Sequence, residues 1–533
     1  MRITNNMIMN SSKSNVGGVK GLVDKYNTQM TTQKKINKAS ENPVIAIRSL
    51  RMSTSMTHID QFKENNIPDA EAWLDVTHTA LTNMKSILTD VRTQCVNGST
   101  DSLTADDRST ILKQLTSLVD QVYAEGNSDY AGRTVFTGYR TSSDLTFLND
   151  TDANAAAYKI TQNFDMEALE EHRYYTSEVV IPTSVDATSA KYNTPVEEKN
   201  LYRVRLAYGG VDADFDLVMK KDGLVDNTIT FSQANGNVFE TAADFSKAID
   251  AGTITADSAV LIKETGEMVF GKNVADSILT NDYEMEVSYM KFGFDAEDAR
   301  PEYYYNCTDY SDCVYTKNDV GSVVDGVTVT DEMVGKAINP TLVDKKAIEF
   351  TYDSQPISYT VANNTELTVN TQAKDVFDTG IRRDINEMID IVQKAISAHD
   401  KVDRITSMMK ETQYVDDKNA QEVLQTYLDA AKKEADYADS NLQKTYGDYI
   451  TRFDKHLAKV NSAITEVGNT QSRLSLIQTR VENQYTTIEE LKSLNEDRDL
   501  SDVIIDYTAV YNAYQASLMA TSKVGQTSLL DYL

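Results

Sequence analysis

The chain has 533 residues, which is too long for one compact domain and suits about three to four. Its 81 acidic residues outnumber 52 basic ones, and the net charge of −29 makes it a poor ligand for nucleic acid or an anionic membrane. No apolar run reaches the roughly 18 residues of a membrane span, and the first residues lack the apolar stretch of a cleaved secretory signal. The sequence therefore predicts neither a membrane span nor a signal peptide.

An amphipathic helix is predicted near each end of the chain. Apolar residues recur at spacings of three and four within Gly17–Lys38 and again over residues 503–518, the period of a helix with one face to bury. Such a helix is marginal alone, because helix stability comes mostly from packing. We therefore expect the two helices to pair with each other or with copies of themselves. The candidate assembly interface comprises Ile3, Met7, Val19, Leu22, Val23, Tyr26, Met30, Val503, Tyr507, Val510, Tyr511, Tyr514, Leu518, Leu529 and Leu530.

Between the first helix and residue 125, further helices are predicted. A break at Ser40–Pro43 precedes a helix over Val44–Lys63, and a heptad-like apolar seam begins near Pro68. Thr104 and Asp107 have the spacing of a capping box, which predicts another helix start. These segments indicate a helical rod.

A much longer helix is predicted near the C-terminal end. Helical periodicity returns near Gly380, and apolar residues seven apart then predict a helix from about Ala420 to Leu494, about 110 Å long. A helix of that length cannot be a compact core helix, so it must lie in a coiled bundle with residues 69–125. The predicted rod core comprises Trp73, Leu81, Met84, Leu88, Leu474, Val481 and Ile488.

The centre of the chain has a β pattern. Gly132–Tyr139 reads as a short strand of a hairpin, and alternating runs from about Tyr158 to Thr371 predict one or two antiparallel lobes. The tyrosines at 303, 304, 305, 310 and 315 are either an exposed patch or ordinary strand and loop residues. Whether Cys307 and Cys313 pair stays open, since three cysteines make no disulfide framework.

Together these elements predict an α+β fold that is symmetric about its centre. A long coiled helical rod, formed by N- and C-terminal segments, carries a β-rich lobe inserted at its tip. The expected division is terminal helices at 1–43 and 500–533, rod at 44–145 and 376–499, and lobe at 146–375.

No catalytic, cofactor-binding or metal site is predicted. The five histidines include no HExxH pair, and GxSxG, Walker-type and dinucleotide motifs are absent. The neighbours Glu171 and His172 are expected to be solvated. An enzyme housed in the central lobe remains an alternative, because a pair of catalytic carboxylates need not be adjacent in sequence.

Several segments resemble the bacterial flagellin family and, more narrowly, its hook-associated members at the junction between hook and filament. The chain opens with MRITNNM, and the last residues, from Ser493 to Leu533, are the closest match. The other matching segments are Lys34–Pro43, Asn66–Leu81 and Gly132–Gly138.

The resemblance implies a structural, non-enzymatic subunit of the extracellular flagellum, needed for filament assembly and motility. Its terminal helices would line an axial channel, the rod would form the next layer, and the lobe would face outward. The implied partners are further copies in a ring, a neighbouring hook-associated junction protein, flagellin, and an export chaperone bound to the C-terminal segment. The resemblance also implies type III export without a cleaved signal peptide. A filament flagellin is the alternative within the same family.

Overall fold

The computed structural model of the chain describes residues 5–99, 105–148, 153–175, 179–185, 189–194, 198–212, 214–315, 319–321, 323–324, 327–330, 333–334, 347–376 and 379–526. The chain divides into two compact units, here named the terminal unit and the central unit. The terminal unit is formed by Met1–Glu71, Ser358–Leu367 and Thr470–Leu533, and the central unit by Ala72–Ile357 and Thr368–Asn469. Both ends of the chain therefore belong to the same unit.

The first and last helices extend beyond the apolar residues from which they were predicted. The α-helices of the described residues are α1 (Asn5–Thr32), α2 (Pro43–Gln61), α3 (Ile67–Gly98), α4 (Ala105–Gly126), α5 (Ala242–Asp250), α6 (Lys272–Asn281), α7 (Ala373–Val376), α8 (Gly380–Met409), α9 (Lys418–Glu496) and α10 (Leu500–Gln526). Helix α1 ends before the predicted Lys38, because Gln33 has a φ of 55°, which a right-handed helix cannot continue.

Helix α2 begins at the predicted break. The side chain of Asn42 accepts hydrogen bonds from the N–H groups of Val44 and Ile45, and Pro43 occupies the first turn, where its missing N–H costs nothing. The predicted gap between Lys63 and Pro68 is wrong. Helix α2 continues into α3 through a single π-helical turn at Phe62–Asn66.

The helical seam of the central unit is closely packed. On α3, the side chains of Leu81, Met84, Leu88, Val91 and Cys95 are buried, at the spacing that the heptad pattern predicts. Helix α4 packs against α8, and α9 extends over 79 residues. The predicted capping box at Thr104 lies outside the described residues.

The β region contains two main sheets. The strands are β1 (Asp129–Tyr130), β2 (Arg133–Thr134), β3 (Ala157–Phe164), β4 (Glu170–Tyr175), β5 (Glu198–Arg205), β6 (Phe215–Lys221), β7 (Leu224–Phe231), β8 (Val238–Phe239), β9 (Ala259–Ile262), β10 (Glu267–Phe270), β11 (Glu284–Phe292), β12 (Asn306–Asp309), β13 (Val323–Val324), β14 (Val327–Thr328), β15 (Ile348–Phe350), β16 (Ser358–Ala362) and β17 (Thr365–Thr368). One sheet has the order β4-β5-β10-β9-β8 and the other β15-β12-β3-β11-β6-β7.

These sheets match the predicted β lobe with two differences. The pair β8–β9 is parallel, whereas the remaining ladders of the two sheets are antiparallel. The lobe also contains α5 and α6, which the sequence reading missed. Helix α5 is short, is capped by Thr241, and buries only Phe245 and Ile249, so its period is too brief to stand out among strands.

Several local expectations need correction. The hairpin near Gly132 consists of the two-residue strands β1 and β2, much shorter than the predicted Gly132–Tyr139. None of the five tyrosines at 303, 304, 305, 310 and 315 is exposed, so the exposed patch is wrong and the strand and loop interpretation holds. Cys307 and Cys313 are both buried and are not joined by a disulfide.

Candidate assembly surface

The terminal helices pair with each other. Helix α1 packs against α10, and the two run antiparallel because the end of α1 meets the start of α10, where Arg498 donates a 2.7 Å hydrogen bond to Gln29. Among the side chains described in these helices, only Gln29 and Val503 are buried. Two helices alone thus leave most of their surface in contact with water.

The candidate interface residues differ in exposure. The half-buried ones are Val19, Val23, Tyr26, Met30, Tyr507, Val510 and Tyr514, and the exposed ones are Met7, Leu22, Tyr511 and Leu518. Tyr507 and Tyr511 stack with ring centroids 5.8 Å apart. Ile3, Leu529 and Leu530 lie outside the described residues. The residues predicted from the helical period therefore include half-buried side chains as well as side chains that face water.

The most exposed apolar residues of α10 were not selected from the sequence. Ile505 is 66% exposed and Met519 is 68% exposed, and Ile504 beside them is also exposed. Large apolar side chains scattered singly need no explanation, but a contiguous group marks an interaction site. We name the exposed apolar residues of α1 and α10 the open face; they are Met7, Ile8, Met9, Leu22, Leu500, Ile504, Ile505, Tyr511, Leu518 and Met519.

A polar joint, here named the clasp, connects the residues after α1 with those between α9 and α10. Lys34 Nζ lies 2.5 Å from Asp497 Oδ1 and 3.2 Å from Glu496 Oε2. The backbone N–H of Lys35 donates to the carbonyl of Glu496 at 2.6 Å, and Arg498 N–H donates to the carbonyl of Gln33 at 2.9 Å. The clasp therefore fixes the two helix ends through main-chain as well as side-chain bonds.

Charge pairing stabilises the clasp. The hydrogen bond to Asp497 raises the pKa of Lys34, and the same bond from Lys34 lowers the pKa of Asp497. Gln29 Nε2 donates to the Lys35 carbonyl at 2.6 Å, which explains why a polar side chain is buried at the end of α1. No local pattern predicts the clasp, because Lys34 and Glu496 are 462 positions apart in sequence.

Helix α2 presents a second exposed apolar stripe. Val44 is 58%, Ile47 52% and Leu50 66% exposed, and the spacing of three places them on one face of the helix. The opposite face carries Ile45, Met52, Met56 and Ile59, of which Ile59 is buried and the others are half-buried. Helix α2 therefore has apolar residues on its outer face as well as on its inner face.

The rod-core residues are placed as follows. Trp73, Leu81, Met84 and Leu88 are buried on α3, Leu474 and Val481 are buried on α9, and Ile488 is half-buried. Trp73 also lies against Arg133 of the β1–β2 hairpin, with 5.1 Å between the guanidinium carbon and the ring centroid.

The central unit contains a buried ion network that the sequence reading missed. Arg203 bonds Glu267 and Glu387, each at 2.7 Å, and Arg205 bonds Glu387 at 3.0 Å. The network joins strands β4, β5 and β10 to helices α8 and α9. Its other members are Glu170, His172, Asp384, Arg452 and His456. The expectation that His172 is solvated is wrong, because its ring is largely enclosed and lies 3.8 Å from Glu387.

The network keeps its carboxylates ionised. Burial alone would raise the pKa of Asp384, but Arg205 and the hydrogen bond with His456 hold it well below its usual value. Burial likewise opposes ionisation of Glu387, and the attraction of Arg203 and Arg205 lowers its pKa. Burial and the nearby Arg203 lower the pKa of His172 to about 3, so the imidazole is neutral at pH 7. Each carboxylate of the network is paired with arginine, which is the arrangement of a structural joint.

Two further observations concern sites and membranes. Within the described residues, no group of three or more His, Cys, Asp or Glu side chains is arranged to hold a metal ion. Among the helices in the described part of the chain, none combines the length and apolar character of a membrane span.

Comparison with known families gives two matches, one at each end. Residues 3–141 match the bacterial flagellin N-terminal helical region, and residues 450–533 match the bacterial flagellin C-terminal helical region. The clasp therefore joins a segment of the N-terminal match to a segment of the C-terminal match. No curated protein matches the chain.

The alignments with solved structures cover most of this chain, but their sequence identities and TM-scores are low. A putative flagellar hook-associated protein from Vibrio parahaemolyticus is 12% identical, with 86% of this chain and 99% of that chain covered and a TM-score of 0.34. Flagellar hook associated protein-3 from Legionella pneumophila is 11% identical, with coverages of 83% and 98% and a TM-score of 0.28. The flagellar junction protein from Legionella pneumophila is 11% identical, with coverages of 80% and 99% and a TM-score of 0.25.

Proposed function

We propose that the chain is a member of the flagellin family, because its two end regions match the two flagellin helical regions, and that it is a structural subunit at the junction between flagellar hook and filament. The observation that carries the proposal is the open face. The paired terminal helices bury only Gln29 and Val503 among their described side chains, while Ile505 and Met519 remain about two-thirds exposed. Apolar surface of this kind is stabilised when neighbouring subunits cover it.

The choice of the junction over the filament rests on the chain's own ending. Ser528–Leu533, SLLDYL, resembles the hook-associated members of the family more than the filament flagellins. In this role the protein forms a ring with copies of itself, contacts a hook-associated protein on one side and flagellin on the other, and binds an export chaperone through its C-terminal segment. It reaches the cell exterior by flagellar export.

We propose no chemical activity for the subunit. In the described part of the chain, the carboxylates of the buried ion network are paired with arginine. A catalytic acid or base needs access to a substrate atom within hydrogen-bonding reach.

A gene deletion distinguishes the junction from the filament. Loss of the junction subunit leaves hooks without filaments while flagellin monomers accumulate in the medium. Bare hooks with no flagellin in the medium would instead identify the chain as the filament flagellin. Normal filaments in the deletion strain would contradict both roles.

Matched variants connect the phenotype to the open face. Ile505→Asp with Met519→Asp should fail to restore filaments in the deletion strain, because charge on this face opposes burial between subunits. Leu224→Asp is the control, since Leu224 is 75% exposed on β7 of the central unit, and it should restore filaments. Both purified variants should retain the thermal stability of the parent. If both variants restored filaments equally well, the open face would not be needed for assembly.

A further inference from the structure

A segment of irregular backbone, here named the strap, lies between strands β4 and β5. It comprises residues 179–194, of which 179–185 and 189–194 are described. Tyr175 and Glu198 are the last Cα partners of the β4–β5 ladder. A short turn is enough to connect two strands that end opposite each other. The connection is therefore much longer than the pairing of β4 with β5 requires, and the extra length needs another explanation.

The strap packs against the tip of the helical hairpin formed by the end of α8 and the start of α9. These two helices lie side by side, since Lys401 Nζ of α8 is 2.8 Å from Glu434 Oε1 of α9. Gln421 of α9 also donates to the carbonyl of Met409, the last residue of α8, at 2.8 Å. The strap and the hairpin tip both belong to the central unit.

Two valines anchor the strap in the apolar core of the tip. Val179 and Val185 are buried, whereas Val180 is 78% exposed. An extended segment with one side against a surface shows such a difference between neighbouring residues. The buried residues that share a cluster with the two anchors come from α8, α9 and the loop between them; they are Ile405, Met408, Tyr414, Ala420, Val423, Leu424, Leu428 and Ala431.

Side chains of α9 also bind the backbone of the strap. The N–H of Val179 donates to Glu434 Oε2 at 3.1 Å, and the N–H of Tyr192 donates to Thr426 Oγ1 at 3.0 Å. The Thr426 hydroxyl in turn donates to the Val423 carbonyl at 2.7 Å, which leaves its oxygen free to accept from the strap. These acceptors recognise the main chain of the strap, as the valine pockets recognise its side chains.

The second half of the strap follows the surface of α9. The rings of Tyr192 and Tyr427 have centroids 5.2 Å apart. Lys191 Nζ lies 3.0 Å from Glu422 Oε2, but both side chains are more than half exposed, so this pair contributes little energy. The buried anchors and the backbone hydrogen bonds therefore supply most of the attachment.

Apolar pockets for side chains, combined with acceptors for main-chain N–H groups, are the means by which grooves bind extended peptides. Here the pockets and the acceptors all belong to α8, α9 and their connecting loop. The covalent links to β4 and β5 keep the strap close to the groove and so give it a high effective concentration. A separate peptide of the same sequence would meet the same groups, without that advantage.

We propose that the tip of the α8–α9 hairpin is a binding site for an extended peptide with two buried apolar anchors, and that its ligand is the strap sequence. The attached strap occupies the site in the folded chain. The same sequence supplied as a separate molecule binds when the attached strap is removed. This inference concerns the isolated chain and does not depend on the proposed role in the flagellum.

Peptide binding to a strapless form of the full chain tests the proposal. In this variant an Asn-Gly turn replaces residues 176–197 and connects Tyr175 directly to Glu198. A fluorescein-labelled peptide of residues 177–194 should bind the strapless protein saturably in fluorescence anisotropy. Its affinity for the parent should be at least about tenfold lower, because the attached strap competes for the same groove.

Two altered peptides provide a matched comparison. The Val179→Asp peptide should lose saturable binding to the strapless protein, because the buried pocket cannot accept an unpaired carboxylate. The Val180→Asp peptide is the control and should bind like the unaltered peptide, since Val180 faces water. The two altered peptides carry the same net charge, so a general electrostatic effect of the acidic chain would change both equally.

A second receptor makes the test independent of how the strapless protein folds. Full-length Val179→Asp with Val185→Asp keeps the whole connection but removes both anchors, and it should also bind the unaltered peptide. Full-length Val180→Asp is its control and should exclude the peptide as the parent does. Both should retain the circular dichroism spectrum of the parent.

Three outcomes would overturn the inference. Absence of saturable binding to both receptors would mean that the strap is not a ligand on its own. Equal affinity of the peptide for the parent and for the receptors would mean that it binds somewhere other than the strap groove. Equal binding of the Val179→Asp and Val180→Asp peptides would mean that the buried anchor is not recognised.

Discussion

The terminal helix pair leaves large apolar side chains exposed, whereas the ion network of the central unit buries its charged side chains and pairs them. Between α1 and α10, only Gln29 and Val503 are buried among the described side chains, and large apolar residues face water. In the network, Arg203 and Asp384 are almost fully buried, and their charges are paired within the unit. The network is paired within the chain, whereas we propose that neighbouring subunits cover the terminal helix pair.

The difference explains why charge is concentrated in one region and apolar surface in the other. A buried ion pair requires close geometry, which strands and helices of one folded chain can hold. An apolar face has no directional requirement, so it suits contacts that form only when subunits meet.

Arg203→Met should be the most damaging change. It leaves Glu267 and Glu387 without their shared cation in a buried site, which costs about 3–5 kcal/mol when one partner of a buried pair is removed. Urea unfolding followed by the fluorescence of Trp73 measures the loss. Lys455→Met, at an exposed position on α9, is the control and should stay within about 0.5 kcal/mol.

Val481→Asp tests whether the α9 seam is a true core. Val481 is 1% exposed, and an unpaired carboxylate there should cost about 2–4 kcal/mol or take up a proton at a raised pKa. Leu476 lies on the same helix but is 74% exposed. Leu476→Asp should therefore change the free energy of unfolding little, apart from the lower helix propensity of aspartate. Similar unfolding midpoints for the two variants would contradict the burial of the seam.

Acid should weaken the network before it affects the open face. His172 has a pKa of about 3 in the folded protein and 6.5 when unfolded, so the unfolded chain binds the extra proton as the pH falls below 6.5. The contribution to stability is therefore present above pH 6.5 and is lost toward acid by at most about 1.4 kcal/mol per pH unit. His172→Gln should flatten this slope in urea unfolding between pH 6.5 and 4.5. An unchanged slope would mean that His172 does not differ between the two states.

Protonation of the carboxylates adds to the same trend at lower pH. The pKa values of Asp384 and Glu387 are held below their ordinary values of 3.8 and 4.5, so their stabilising effect is present above those values and is lost as the pH falls further.

Lys34→Met should have the smallest effect on stability. Its side chain is 43% exposed, and exposed ion pairs contribute about 0–1 kcal/mol. Amide exchange in the adjoining ends of α1 and α10 should nevertheless accelerate, because the clasp connects them. Lys13→Met, on the exposed surface of α1, is the matched control and should leave exchange unchanged.

The helices were largely predictable from sequence, because long periodic patterns carry a strong signal. The α3 seam and the span of α9 followed from the spacing of apolar residues alone. The ion network could not be found this way, since Arg203, Glu267 and Asp384 belong to distant segments and nothing local marks their pairing. The open face was found only in part, because helical period shows which residues are apolar together but not which side the partner helix covers.

The π turn shows a different limit. Its residues, Phe62–Asn66, have no distinctive pattern, and Pro68 indicated a break where the helix in fact continues. One contact of this turn comes from the β16–β17 hairpin, where Asn66 bonds Thr360, 294 positions further along the chain.

Hydrogen exchange of the same amides, in the dilute monomer and in assembled flagella, tests whether neighbouring subunits complete the α1–α10 pair. The amides of α1 and α10 should exchange rapidly in the dilute monomer and slowly in isolated hook–filament structures, while those of α3 around Trp73 should be protected in both. Strong protection of α1 and α10 in the monomer, equal to that in the assembly, would contradict the account that neighbouring subunits complete this helix pair.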